Sequence, residues 1–95
     1  MDIGNALKDI RNKKRWSQTQ AAEVIGILPA NLSDIENNRR IMSFKMLEKI
    51  CIAYGVPVAI VQWMATTDKD VPKQKKKAFK IIKPAIDKLI FEFFN

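Results

Sequence analysis

The 95-residue chain sets 17 Lys and Arg against 10 Asp and Glu, a formal charge of +7, with 47% apolar side chains, which describes one small globular core attracted to polyanions, either nucleic acid or an anionic membrane surface. With no histidine and a single cysteine, Cys51, an intramolecular disulfide, a zinc cluster and a Cys-His nucleophile pair are all excluded. The longest apolar run, residues 56–61, is far short of the ~20 residues that span a bilayer, and Asp2, Lys8 and Asp9 interrupt any secretory core, so the expected location is the cytoplasm.

Ile3, Ala6, Leu7 and Ile10, with Trp16 just beyond, recur at helical spacing and predict an amphipathic helix over about residues 2–13. Ser17 followed by Gln20 fits a capping box at the start of a second helix, which carries Ala21, Ala22, Val24 and Ile25. Gly26 stops it, because glycine takes the left-handed conformation that a tight turn requires. Pro29 suits the first position of a third helix, whose expected buried stripe is Leu28, Leu32 and Ile35. Asn37, Asn38, Arg39 and Arg40 form a polar connection. Ser43 caps a fourth helix with Phe44, Leu47, Ile50, Cys51 and Tyr54, ended by Gly55, and Cys51 reads there as a small buried hydrophobe. Pro57 opens a short fifth helix with Val58, Ile60, Val61 and Met64 inside and Trp63 at the rim.

From residue 66 the composition turns charged, with Pro72 and a lysine run, which predicts a helical domain over residues 1–66 and a basic linker over 67–77. A C-terminal amphipathic helix over 78–95 follows, with Ala78, Phe79, Ile82, Ala85, Ile86, Leu89, Ile90, Phe93 and Phe94 at three- and four-residue spacing. Pro84 either kinks this helix or restarts it. Its four phenylalanines, Phe79, Phe91, Phe93 and Phe94, need a covering surface: the chain's own domain, a second copy or a membrane, the last disfavoured by Asp87 and Glu92. A homodimer through Phe79, Ile82, Ile86, Leu89, Ile90 and Phe93 is the first expectation. The basic charge is spread, about +3 on residues 1–66 and about +4 beyond. Lys73, Lys75, Lys76 and Lys77 therefore either add phosphate contacts or keep the linker dissolved.

Two short helices around a glycine turn, followed by two more that end in Gly55-Val56, resemble the phage-repressor (Xre-like, Cro-type) helix-turn-helix family over residues 3–66. Ser17-Gln18, Ala22, Gly26, Leu32, Ile35-Glu36, Arg39 and Leu47 carry the rest of the resemblance. It implies an all-α fold, a five-helix bundle with an additional C-terminal helix, and a sequence-specific transcriptional regulator whose partner is double-stranded DNA. It also implies an architectural ion pair between Arg11 and Glu36.

By the same resemblance the third helix lies in the major groove with Pro29, Ala30, Asn31, Ser33 and Asp34 toward the bases, while Ser17, Gln18, Asn37, Asn38, Arg39 and Arg40 meet phosphates. The reading face departs from its relatives, which usually place Gln, Arg, Ser or Thr where this chain has Pro29, Ala30 and Asp34, and Leu28 replaces the usual capping hydroxyl. Ala30 could touch a thymine methyl, Asn31 or Ser33 could bond a base, and Asp34 could accept from a cytosine amino group. A protein-interaction module that uses Leu28, Pro29 and Ala30 as an apolar contact is the alternative. With no glycine-rich phosphate loop and no paired nucleophile, neither an enzyme, a cofactor nor a small-molecule substrate is expected.

Overall fold

Three of the first five helices begin at a side-chain cap and two end at a left-handed glycine. In the computed structural model, which describes residues 1–94, the helices are α1 (Ile3–Lys13), α2 (Gln18–Ile25), α3 (Pro29–Glu36), α4 (Phe44–Tyr54), α5 (Val58–Ala65) and α6 (Lys76–Phe93). The last residue of the expected C-terminal segment, Asn95, lies outside the described residues. Asp2 caps α1 by accepting the Asn5 amide, Ser17 and Gln20 form the reciprocal capping box of α2, and the Ser43 hydroxyl accepts the Met46 amide at α4. Gly26 (φ 88°) and Gly55 (φ 68°) close α2 and α4 in the left-handed conformation. Leu28 caps α3 with no side-chain bond, and Pro29 supplies the fixed φ of the first turn instead.

Leu7, Ile10, Leu32, Ile50, Tyr54 and Val61 are the large, fully buried side chains, so all of α1, α3, α4 and α5 contribute to one core. From α2 the buried residues are Ala21, Ala22 and Ile25; the two alanines let α2 approach its neighbours closely. Burial pushes the Cys51 thiol up from its ordinary range, as expected of a packed hydrophobe. Three apolar residues of the patterns predicted for the first five helices are exposed: Leu28, expected in the buried stripe of α3, at 67%, with Val24 and Phe44. Leu28 precedes the first helical turn, where extended backbone (ψ 142°) takes its side chain off the stripe that Leu32 and Ile35 continue.

Residues 67–77, expected to be a linker, fold into two 3₁₀ turns, Asp68–Asp70 and Lys73–Lys75, and α6 begins at Lys76. Thr67 and Asp70 cap the first turn reciprocally, and Asp70 also takes the N-terminal ammonium of Met1 at 2.7 Å. Across Pro84 α6 stays one continuous helix, although the ring has no N–H to return to Lys80.

α6 lies against its own domain along one side. Trp63 of α5 is the anchor: its ring is 6.0 Å from that of Phe79, its indole N–H donates to Asp87 Oδ1 at 3.0 Å, and Lys83 reaches its carbonyl at 3.0 Å. Phe94 packs on the core beyond the helix end. The six residues expected at a dimer seam are therefore divided. Phe79, Ile86 and Ile90 are half-buried, whereas Ile82, Leu89 and Phe93 remain exposed. Among the described residues no helix is long and apolar enough to cross a membrane.

Candidate nucleic-acid interface

The outward face of α3 is held by a buried ionic cluster at the helix's far end. Glu36, 4% exposed, receives Arg11 Nε at 2.6 Å and Arg11 Nη2 at 3.1 Å, a two-point pairing that matches guanidinium to carboxylate. The third guanidinium nitrogen, Nη1, donates to the Trp16 carbonyl at 2.8 Å, which fixes the turn between α1 and α2. The hydrogen bond to Glu36 raises the Arg11 pKa above its already high ordinary value, against the opposing effect of burial. Gln18 Nε2 donates to Glu36 Oε1 at 2.9 Å, so one carboxylate links α1, α2 and α3. The Gln18 side chain, expected on a phosphate, is thereby committed to the interior of the motif, while its backbone stays in the first turn of α2.

Tyr54 stands behind this cluster, edge-on to Trp16 with ring centroids 5.8 Å apart. Its hydroxyl is buried with no hydrogen-bond partner among the described residues. Burial, reinforced by the negative charge of Glu36, pushes its pKa up to about 12.

α3 ends in a motif that the sequence reading did not identify. Asn38 adopts left-handed backbone (φ 56°), its amide donates to the Ile35 carbonyl at 3.1 Å, and the Arg39 amide reaches back to the Asp34 carbonyl at 2.9 Å. The Asn38 side chain then accepts the Gly4 amide at 3.1 Å and donates to Asp2 at 2.8 Å, locking the start of α1 onto the end of α3. Asn38 was expected to meet a phosphate; in the structure its amide group is occupied in both directions. Gly4 makes this approach possible. A Cβ there would lie 2.5 Å from both Asn38 Oδ1 and the Ile35 carbonyl oxygen.

On the outer side of α3, Pro29 and Ala30 are exposed, Asn31, Ser33 and Asp34 are half-buried, and Leu32, Ile35 and Glu36 face the core. The Asn37 side chain folds back to the Ser33 carbonyl at 2.8 Å. Asp34, the acid on this face, has Arg39 at 3.6 Å, with both side chains well exposed. That pair is worth at most about 1 kcal/mol, so Arg39 can exchange the carboxylate for a phosphate at small cost. Arg40 is exposed beside it, and Ser17 remains exposed at the head of α2. The outer face thus combines an apolar strip at the start of α3, a few short polar groups and a basic margin beyond its end, and no group of side chains suited to hold a metal is found among the described residues.

The helix-turn-helix family model matches residues 7–61, which runs from α1 through α5 and includes the α2–α3 unit. The chain belongs to the helix-turn-helix family. Within it, the chain is similar to the ImmF control region 10 kDa protein of Bacillus phage phi105, with 35% identity over 63% of this chain and 67% of that one. It is also 31% identical to the competence pilus inhibition repressor of Acinetobacter baylyi, over 68% of this chain and 59% of that protein. Among solved structures, the clp gene regulator ClgR of C. glutamicum superposes with a TM-score of 0.65 at 33% identity, covering 67% of this chain and 83% of that one. This helix-turn-helix chain spans about three fifths to two thirds of the length of these two curated relatives.

Proposed function

We propose that the chain is a transcriptional regulator that lays α3 in the major groove of double-stranded DNA and acts as a homodimer in the cytoplasm, without catalytic activity. One observation carries this reading: the ionic cluster of Arg11, Glu36 and Gln18 fixes α3 at its C-terminal end while Pro29, Ala30, Asn31, Ser33 and Asp34 lie on its outer side, with Arg39 and Arg40 exposed just beyond the helix end. A rigid helix presented with a basic margin fits groove reading, because guanidinium contacts to phosphate set position and short side chains reach base edges. The names of the relatives, a control-region protein, a repressor and a gene regulator, support the same assignment. Few base pairs are read through polar side chains in this account, so the shape of the duplex contributes to its preference.

Selection of bound duplexes from a random pool tests it. An enriched sequence is expected, and Asn31→Ala or Ser33→Ala should relax it at single positions at a cost of about 1–3 kcal/mol each. Enrichment of nothing over the starting pool would refute groove reading. The exposed apolar strip of Leu28, Pro29 and Ala30 favours a second reading, a contact with another protein, and binding that ignores salt would mark it.

A further inference from the structure

We infer that the outer face of α6 is the dimer contact and that it pairs with the same helix of a second copy in antiparallel orientation. This rests on the dimeric reading proposed above and assigns it a surface. α6 carries two stripes. The inner one, Phe79, Lys83, Ile86 and Ile90, is half-buried and turns toward Trp63 and the rest of the domain. The outer one runs Ala78, Ile82, Ala85, Leu89 and Phe93, with Ile81 at its edge, at the three- and four-residue spacing of a helix–helix seam. Every residue of it is exposed; Ile81 and Leu89 are each at 71%. A helix already anchored on one side loses little further freedom when its other side is covered.

Charge selects the orientation. Residues 76–83 carry Lys76, Lys77, Lys80 and Lys83 and no acid, whereas both acids of the helix, Asp87 and Glu92, fall in its second half. Parallel pairing would stack the lysine ends together. Antiparallel pairing sets Lys77 beside Glu92 of the second copy, Ile82 against its Leu89 and small Ala78 against its Phe93, with the crossing at Ala85. The 18-residue helix is about 27 Å long and offers a stripe about 10 Å wide, less than the ~800 Å² per partner of a standard stable interface. The dimer should therefore be weak and depend on concentration.

Sedimentation of the full chain without DNA tests this. The wild type should shift from monomer to dimer as concentration rises, and Ile82→Asp with Leu89→Asp should raise the dissociation constant at least about tenfold while far-UV dichroism stays unchanged. For orientation, single cysteines are introduced in a Cys51→Ser background and oxidised. Ala85→Cys should give a linked dimer, Ala78→Cys alone should not, and Ala78→Cys mixed with Phe93→Cys should. A wild type that stays monomeric, a dimer indifferent to the two aspartates, or self-linking of Ala78→Cys would overturn the assignment. So would partition of the wild type onto phosphatidylcholine–phosphatidylglycerol vesicles in place of self-association. Because no duplex is present, these results stand apart from the groove-reading claim, which experiments with duplex DNA test separately.

Discussion

Replacing Glu36 by Gln keeps the volume of the side chain and removes its charge, which isolates the contribution of the buried pair to the positioning of α3. In the native chain the carboxylate takes two bonds from Arg11 and one from Gln18 with only 4% of the residue exposed, and Arg11 is 8% exposed. The amide leaves one acceptor and turns an NH₂ group toward a cluster of donors, so the Arg11 charge stays buried without compensation. Breaking one side of such a pair costs about 3–5 kcal/mol, a large part of the ~5–15 kcal/mol that holds a domain of this size together. At about 4–8 °C per kcal/mol, the thermal midpoint should fall by roughly 12–40 °C, with a matching loss in urea melts followed by far-UV dichroism. Arg11→Met combined with Glu36→Met removes both charges and should recover most of the loss, since apolar replacement of a whole buried pair is often neutral. A loss below about 1 kcal/mol in Glu36→Gln, or strictly additive effects in the double variant, would refute the claim that the pair acts as a unit.

Gly4→Ala raises helix propensity by up to about 1 kcal/mol yet places a methyl within 2.5 Å of the Ile35 carbonyl oxygen, so a net loss of about 1–3 kcal/mol in chemical denaturation is expected; a stabilised variant would show that α1 and α3 are not in that contact. Tyr54→Phe removes the hydroxyl that lacks a partner among the described residues, and because stranding that group costs about 1–3 kcal/mol, the variant should be neutral or more stable, with a clear loss in the urea midpoint pointing to an unseen bond. The bonds from Asn38 and from the Asn5 amide hold the Asp2 carboxyl below its usual range. Its contribution is therefore complete above the unfolded value near 3.9 and is lost as pH falls through the lower folded value. Asp2→Ala should cost about 1 kcal/mol at neutral pH and flatten the stability profile below pH ~4, which an acid titration of the melting point would reveal.

What was legible in the sequence was local. Ser17, Gly26, Pro29, Ser43 and Gly55 each act on their own turn, and α2, α3 and α4 begin where those residues place them. What depended on a neighbour in space was not. Gly4 reads as a minor helix weakness until α3 is laid against it, and Asn38 looks like a free polar loop residue until its left-handed backbone and two side-chain bonds are seen. Leu28 matches the stripe by spacing but precedes the helix, so its direction follows extended rather than helical geometry. In α6 periodicity marked a wide apolar arc without showing that Trp63 covers only one part of it. Of the outward residues, Asp34 was legible as an anomaly, though its neighbour Arg39 emerged only from the fold.

Engagement of duplex DNA by α3 and its basic margin can be measured by fluorescence anisotropy of a labelled duplex across a salt series with wild type and Arg39→Ala/Arg40→Ala. Wild-type affinity should fall steeply as salt rises, with a log–log slope about 2 smaller in magnitude for the double variant, one unit for each phosphate contact removed. Binding that is absent in dilute buffer, or a slope that the two alanines leave unchanged, would contradict such engagement.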